Sequence, residues 1–206
     1  MKLYSTPHTC SLAVDIVARE IGIDLELVWV DLRAKKLKDG SDFFHINPKG
    51  QVPTLKTDEG QFLTEGVVIV QYLADSAPSC NLLPFSPGME RYRVLESLSF
   101  ISSELHKSFT PLFRPTTPQA YRVIATENLL KRFEWLDQVL IGQPYLHGDS
   151  FTVADAYCYA IVTWSHLHQI DLSGFAHLAA YLERVAMRPS VQAALAAERE
   201  ELAGGR

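Results

Sequence analysis

Apolar and polar positions alternate in kind along the first eighty residues. Lys2–Ser5 reads as a short strand and Thr6–Thr9 as a turn. From Ser11 the apolar positions Leu12, Ala13, Ile16, Val17 and Ile21 recur at a helical period, and Gly22 marks the stop. Leu25–Val30, ending in the apolar run Leu27-Val28-Trp29-Val30, reads as a central strand. Pro53–Lys56 and Gln61–Leu63 read as two strands around the turn Asp58-Glu59-Gly60. Thr64 then opens a helix through Val67, Val68, Val70, Gln71 and Leu73 to Ser76. A βαβ unit followed by ββα predicts a small mixed sheet with helices packed on it.

The pattern changes at Ala77–Gly88, where Pro78, Pro84, Pro87 and Gly88 predict a linker. Beyond it the period is helical in five segments: Met89–Phe113, Gln119–Ile141, Thr152–His168, Phe175–Met187 and Ser190–Leu202. The tail Ala203-Gly204-Gly205-Arg206 is expected to fray. The predicted organisation is therefore an α/β domain over 1–80, a linker over 81–88 and an all-helical domain over 89–206.

Composition narrows the function classes. The chain has 206 residues, 47% of them hydrophobic and 21% charged, enough to bury a core and unlike a disordered chain. A net charge of −5 argues against nucleic acid or an anionic membrane as the main partner. The longest nearly apolar stretch, Ala156–Thr163, is well below the roughly 20 residues a bilayer needs. Cys10, Cys80 and Cys158 are too few and too scattered for a disulfide framework, which suits a reducing, cytoplasmic setting.

Several positions carry candidate chemistry, each with a plainer alternative. Cys10 falls between a strand and the first turn of a helix. Unpaired N–H groups there favour a thiolate; otherwise Cys10 is a small residue suited to a tight turn. Val52-Pro53 opens a strand. Pro53 is expected at a sheet edge, and a cis bond there would leave the main chain of Val52 free to pair with an extended peptide; otherwise it is an ordinary strand start. Leu63-Thr64-Glu65-Gly66 joins a strand to a helix, where N–H groups suit a carboxylate and Glu65 an ammonium. The alternative is that Thr64 and Glu65 cap the helix. The run Arg33-Ala-Lys35-Lys36-Leu-Lys38 is a solvated loop, or one of its lysines reaches an anion.

Ser99, Ser103 and His106 share one stripe of the long helix, with Glu104 and Lys107 beside it. They line a cleft or an exposed face, while Leu95, Leu98, Ile101 and Leu105 mark the buried side. Thr152-Val-Ala-Asp155 reads as a capping box and Cys158 as a core thiol. His166-x-His168 diverges on a helix and makes a poor metal pair. No nucleotide-binding, nucleophile-elbow or zinc-protease motif is present.

Taken in order, Lys2-Leu-Tyr-Ser-Thr-Pro-His-Thr-Cys10, Asn47-Pro-Lys-Gly-Gln-Val-Pro53, Leu63-Thr-Glu-Gly66 and Phe151-Thr-Val-Ala-Asp155 resemble a cytosolic glutathione transferase. Cys10 with Lys35 and His106 is similar to the bacterial beta class. The resemblance implies a thioredoxin-like domain followed by an all-helical one. It implies glutathione as co-substrate, no metal, a homodimer, and a small hydrophobic electrophile as second substrate.

By the same resemblance, Val52 beside Pro53 pairs with the cysteinyl unit of glutathione. Glu65 and Gly66 hold the γ-glutamyl end and Lys35 approaches the glycine carboxylate. Cys10 and His106 border the sulfur, as hydrogen-bond donor or mixed-disulfide partner in the case of Cys10. Tyr4, Ser5 and Ser11 are rivals for that role. Ser99, Ser103 and Glu104 match further binding positions, partly across the dimer; related sequences carry Asn where this chain has Ser99. Phe109, Phe113, Tyr157 and Trp164 are candidates to line the electrophile cleft. The expected activity is conjugation. The alternatives are a thiol–disulfide reductase or dehalogenase acting through Cys10, and a non-catalytic ligand binder.

Overall fold

The computed structural model describes residues 1–85 and 88–204. Pro87 of the expected linker, and Gly205 and Arg206 of the expected tail, lie outside them. The chain forms two compact units, one made of residues 1–83 together with the segment from Arg188 onward, the other of residues 84–187. Among the described residues no helix is long and apolar enough to cross a membrane.

In the first unit the elements run β1 (Lys2–Ser5), α1 (Ser11–Glu20), β2 (Glu26–Asp31), β3 (Lys36–Leu37), β4 (Thr54–Lys56), β5 (Phe62–Thr64), α2 (Gly66–Ser76) and, after the whole second unit, α9 (Pro189–Gly204). The strands form one mixed sheet ordered β3-β2-β1-β4-β5. β1 is parallel to β2, with Leu3 opposite Leu27, and antiparallel to β4, with Leu3 opposite Leu55. The centre of the sheet is therefore β1, whose Leu3 is fully buried. The apolar run expected to be the central strand is β2, one place out. Only its Val30 is buried, because its outer neighbour is a two-residue strand hidden within the basic run.

α1 buries every residue from Ser11 to Ala18. Its small side chains let both α2 and α9 pack against it. α9 contributes Val191 and Ala194 to that contact, and Arg188 reaches Glu20 of α1 with Nε at 2.7 Å and Nη2 at 2.7 Å. The expected assignment of this last helix to the helical domain is thus corrected. Its apolar residues pack on α1, Arg188 just before it pairs with Glu20, and it completes the first unit. A second cluster, Tyr4, Val30, Phe43 and Val52, is packed by Val28, Leu32, Leu37 and Ile46.

The second unit comprises α3 (Met89–Phe100), α4 (Lys107–Phe113), α5 (Gln119–Val139), α6 (Val153–Val162), α7 (Trp164–Leu167) and α8 (Ala176–Ala186). The long helix expected over Met89–Phe113 is interrupted by a π-helical turn, Ile101–His106. The helix expected over Thr152–His168 breaks at Thr163 into α6 and α7. Asp155, fully buried, closes the capping box. Its Oδ2 accepts from the Thr152 N–H and hydroxyl, each at 2.8 Å, and its Oδ1 from the Leu146 N–H at 2.9 Å. Cys158 is buried beneath it, as expected of a core thiol.

Candidate functional site

In the first unit a loop and two helix starts bring the predicted residues together. Asn47, nearly fully buried, ties the loop before β4. Its Nδ2 donates to the Gln51 carbonyl at 2.8 Å and to Thr54 Oγ1 at 3.1 Å, while its Oδ1 accepts the Lys49 N–H at 3.0 Å. Gly50 turns with φ +59°, and a Cβ there would come within 2.7 Å of Phe44 Cε1. That turn delivers Val52 and the cis Val52–Pro53 bond to the start of β4. The edge position expected for Pro53 is corrected: β4 lies between β1 and β5, and Pro53 precedes its first paired residue, so no ladder bond is lost.

Cys10 stands at the N-cap of α1, 8% exposed, and its Sγ donates to the Val52 carbonyl at 3.5 Å. The depressed thiol expected there is not found. Burial pushes the Cys10 thiol up to about 12, and the Glu65 carboxylate adds to the rise against an opposing backbone N–H. The helix start offers little counterweight because its N–H groups are already taken. Ser11 donates to Thr9 Oγ1, Leu12 to the Thr9 carbonyl and Ala13 to the Cys10 carbonyl. Among the rivals, Tyr4 is packed into the core 6.0 Å from the Phe43 ring and Ser5 is buried. Ser11 Oγ accepts from Thr9 at 3.0 Å.

Glu65 sits at the N-cap of α2 with φ +69° and makes no capping bond. A non-glycine residue in that region is under strain of order 1–3 kcal/mol. The helix-capping alternative therefore fails for Glu65. Its carboxylate turns outward and accepts from the Lys49 ammonium, which also donates to Thr64 Oγ1 at 2.7 Å. Among the described residues the N–H groups of Gly66 and Val67 have no hydrogen-bond acceptor. A carboxylate side chain and two aligned N–H donors thus meet at one corner, a fit for a zwitterionic amino-acid end.

Lys35, half-buried with φ +58°, places its ammonium 2.8 Å from the Gly50 carbonyl and so belongs to the same loop. Lys36 and Lys38 do not share this placement, since Lys36 is in β3 and Lys38 pairs with Glu201 of α9. Lys49 is the residue that sequence reasoning passed over. The signal was present, because it lies inside the Asn47–Pro53 segment already singled out.

The remaining candidates lie in the second unit, on α3 and the π-helical turn. Ser99 and Ser103 are exposed, and the Ser103 hydroxyl donates back to the Ser99 carbonyl at 3.0 Å. Glu104 accepts from Arg132 of α5, Nη2 at 2.7 Å and Nε at 3.1 Å. His106 Nδ1 lies 2.7 Å from the Tyr157 hydroxyl, with its ring edge-on to Trp164 at 4.9 Å. Of the four aromatics proposed to line a cleft, Phe109, Tyr157 and Trp164 are core residues and only Phe113 keeps substantial surface. The edge-to-face contacts Phe109–Trp164 and Phe113–Trp164 explain the burial. His166 is exposed and His168 packs on Phe109 and Phe113. Among the described residues no three metal-ligating side chains come together.

Comparison with known proteins places this arrangement. Residues 9–76 match the model of the glutathione S-transferase N-terminal domain and residues 100–189 that of the C-terminal domain. Glutathione S-transferase GstA of Escherichia coli O157:H7 is 47% identical over 96% of this chain and 98% of its own. A sphingomonad glutathione S-transferase, solved in complex with glutathione, superposes with a TM-score of 0.93. It is 43% identical, over 96% of this chain and 98% of its own. The bacterial beta class enzyme of Sphingomonas chungbukensis gives a TM-score of 0.93 at 41% identity, with the same coverage.

Proposed function

The chain belongs to the glutathione S-transferase family, and from that premise we propose that it binds glutathione along residues 50–67 and joins its sulfur to small hydrophobic electrophiles. The observation that carries the reading is the alignment of Val52 with the corner at Glu65. The Val52 carbonyl faces Cys10 Sγ at 3.5 Å, and its N–H has no acceptor among the described residues. An extended peptide can pair there as a short added strand.

From that anchor the rest of the tripeptide follows. The γ-glutamyl carboxylate takes the N–H groups of Gly66 and Val67, and its ammonium takes Glu65. The pair Glu65–Lys49 is exposed on both sides, 64% and 50%, so it holds by no more than about 1 kcal/mol and yields to the incoming ammonium. Lys35 uses one of its three N–H donors on Gly50 and has others for the glycine carboxylate. Pro53 seats the loop and, as the family resemblance implies, His106 serves the sulfur. Ser99 and Ser103 offer polar contacts, and Glu104 acts through its pair with Arg132.

In the reaction the glutathione thiol loses its proton to solvent and the thiolate attacks an electrophilic carbon. A C–S bond forms as the bond to the leaving group breaks, and the leaving group departs with the bonding pair. An ordinary thiol titrates near 8.5, and each unit by which the site lowers it is worth about 1.4 kcal/mol. Cys10, kept protonated by burial, supports this by turning its single S–H from the Val52 carbonyl toward the sulfur. The same burial weighs against Cys10 as an exchange nucleophile, since a thiol pushed up to about 12 carries little thiolate at pH 7. We place the working protein as a homodimer in the cytoplasm.

Calorimetric titration with glutathione, followed by turnover of a nitro-activated aryl halide, tests the reading. Binding with turnover is expected. Absence of binding overturns it, binding without turnover points to a ligand carrier, and turnover of a mixed disulfide alone points to exchange chemistry.

A further inference from the structure

We infer that Tyr157 is the positioning residue for His106, fixing the imidazole as the tautomer that carries its proton on Nε2. This rests on the conjugation reading for its effect on turnover, but the geometry is internal to the second unit. Tyr157 rises from α6, where every residue from Val153 to Val162 is buried, and is itself 2% exposed. Its hydroxyl meets His106 Nδ1 at 2.7 Å, a short contact between two groups each able to donate or accept. A phenol is the more acidic partner of a neutral imidazole, so the hydroxyl donates and Nδ1 accepts. Nε2 then holds the ring proton.

Three further features hold the ring. Trp164 closes one side edge-on at 4.9 Å and 77°, and the Tyr157 ring stands at 6.0 Å and 69°. His106 ends the π-helical turn of a helix whose other segments are α-helical, an irregularity that changes the angle at which position 106 leaves the helix. The result is an oriented donor. Such a group can hydrogen-bond a developing anion, thiolate or leaving group, without itself giving up a proton.

The test starts on the ligand-free protein. Nitrogen-15 chemical shifts of His106 are read at pH 9, well above the ordinary imidazole value of about 6.5. The Nε2–H tautomer is expected, and an Nδ1–H tautomer overturns the inference. This needs no mutant and does not depend on glutathione binding, so its failure is distinct from failure of the conjugation reading.

Tyr157→Phe then removes only the hydroxyl. With His106 released, a mixture of tautomers is expected, and kcat for the aryl halide should fall roughly tenfold with KM for glutathione within twofold. Unchanged tautomer and unchanged kcat in a folded variant overturn the inference. If Tyr157→Phe does not fold, the tautomer of the unmodified protein alone decides.

Discussion

Two residues behave against their first appearance. Cys10 has the address of a reactive thiol but the surroundings of a core one. At pH 7 an alkylating reagent is expected to label the exposed Cys80 at least 100-fold faster than Cys10 or Cys158, as read by peptide mass spectrometry over time. Rapid labelling of Cys10 would restore it as a nucleophile. By the same reasoning Cys10→Ala is expected to retain conjugation within about tenfold, the loss of one donor rather than of a nucleophile. Glu65 is the reverse case, a strained residue whose side chain has no structural task inside α2. Glu65→Gly should raise stability by about 1 kcal/mol in a denaturant titration while raising KM for glutathione at least tenfold. A variant less stable than the parent would show that the strain is illusory. Both residues could be singled out from sequence, but the burial of Cys10 against Val52, 42 residues away, and the backbone angle of Glu65 between β5 and α2 could not.

Elements with a full apolar period were the legible ones. α1, α2 and the five helical segments beyond the linker all lie where Leu, Ile and Val recur, within a few residues at each end. What escaped was local. β3 is two residues long and one of them is a lysine, so no alternation could reveal it. The π-helical turn at Ile101–His106 keeps the same apolar residues buried as an α-helix would, and it leaves no trace in the pattern. The loop from Asn47 to Pro53 was legible as a motif but not as a mechanism, since its order comes from side chain to main chain bonds. Gly50→Ala tests that loop. With φ +59° and Phe44 2.7 Å from the new Cβ, the variant should lose about 1–2 kcal/mol and weaken glutathione binding together. Loss of stability alone would detach the turn from the site.

At the scale of the molecule the unexpected feature is that α9 belongs with the first unit. It brings Glu198 into the core beside α1, where Oε2 accepts the His8 N–H at 3.2 Å and Oε1 is buried with no hydrogen-bond partner among the described residues. Burial raises the Glu198 carboxyl to about 7, and the nearby Asp15 adds to the rise. A raised carboxyl favours the folded state while protonated in it. That contribution is whole below the ordinary value near 4.5, declines as pH rises, and is gone above about 7. Glu198→Gln should therefore flatten a decline in unfolding free energy, a few kcal/mol at most, between those limits. Parallel slopes for the two proteins would contradict it. The slope is expected in the part of the molecule that carries Cys10, because His8 and Cys10 share the loop between β1 and α1.

The return of α9 also sets an order of events at the ribosome. The flank of α1 that Val191 and Ala194 cover is synthesised more than 170 residues before them. The middle of the polypeptide, residues 84–187, is a compact unit made before α9. The portion carrying α1 must wait, with an apolar flank unshielded, for α9. A nascent chain stalled before residue 188 is thus the form of this protein most in need of a chaperone.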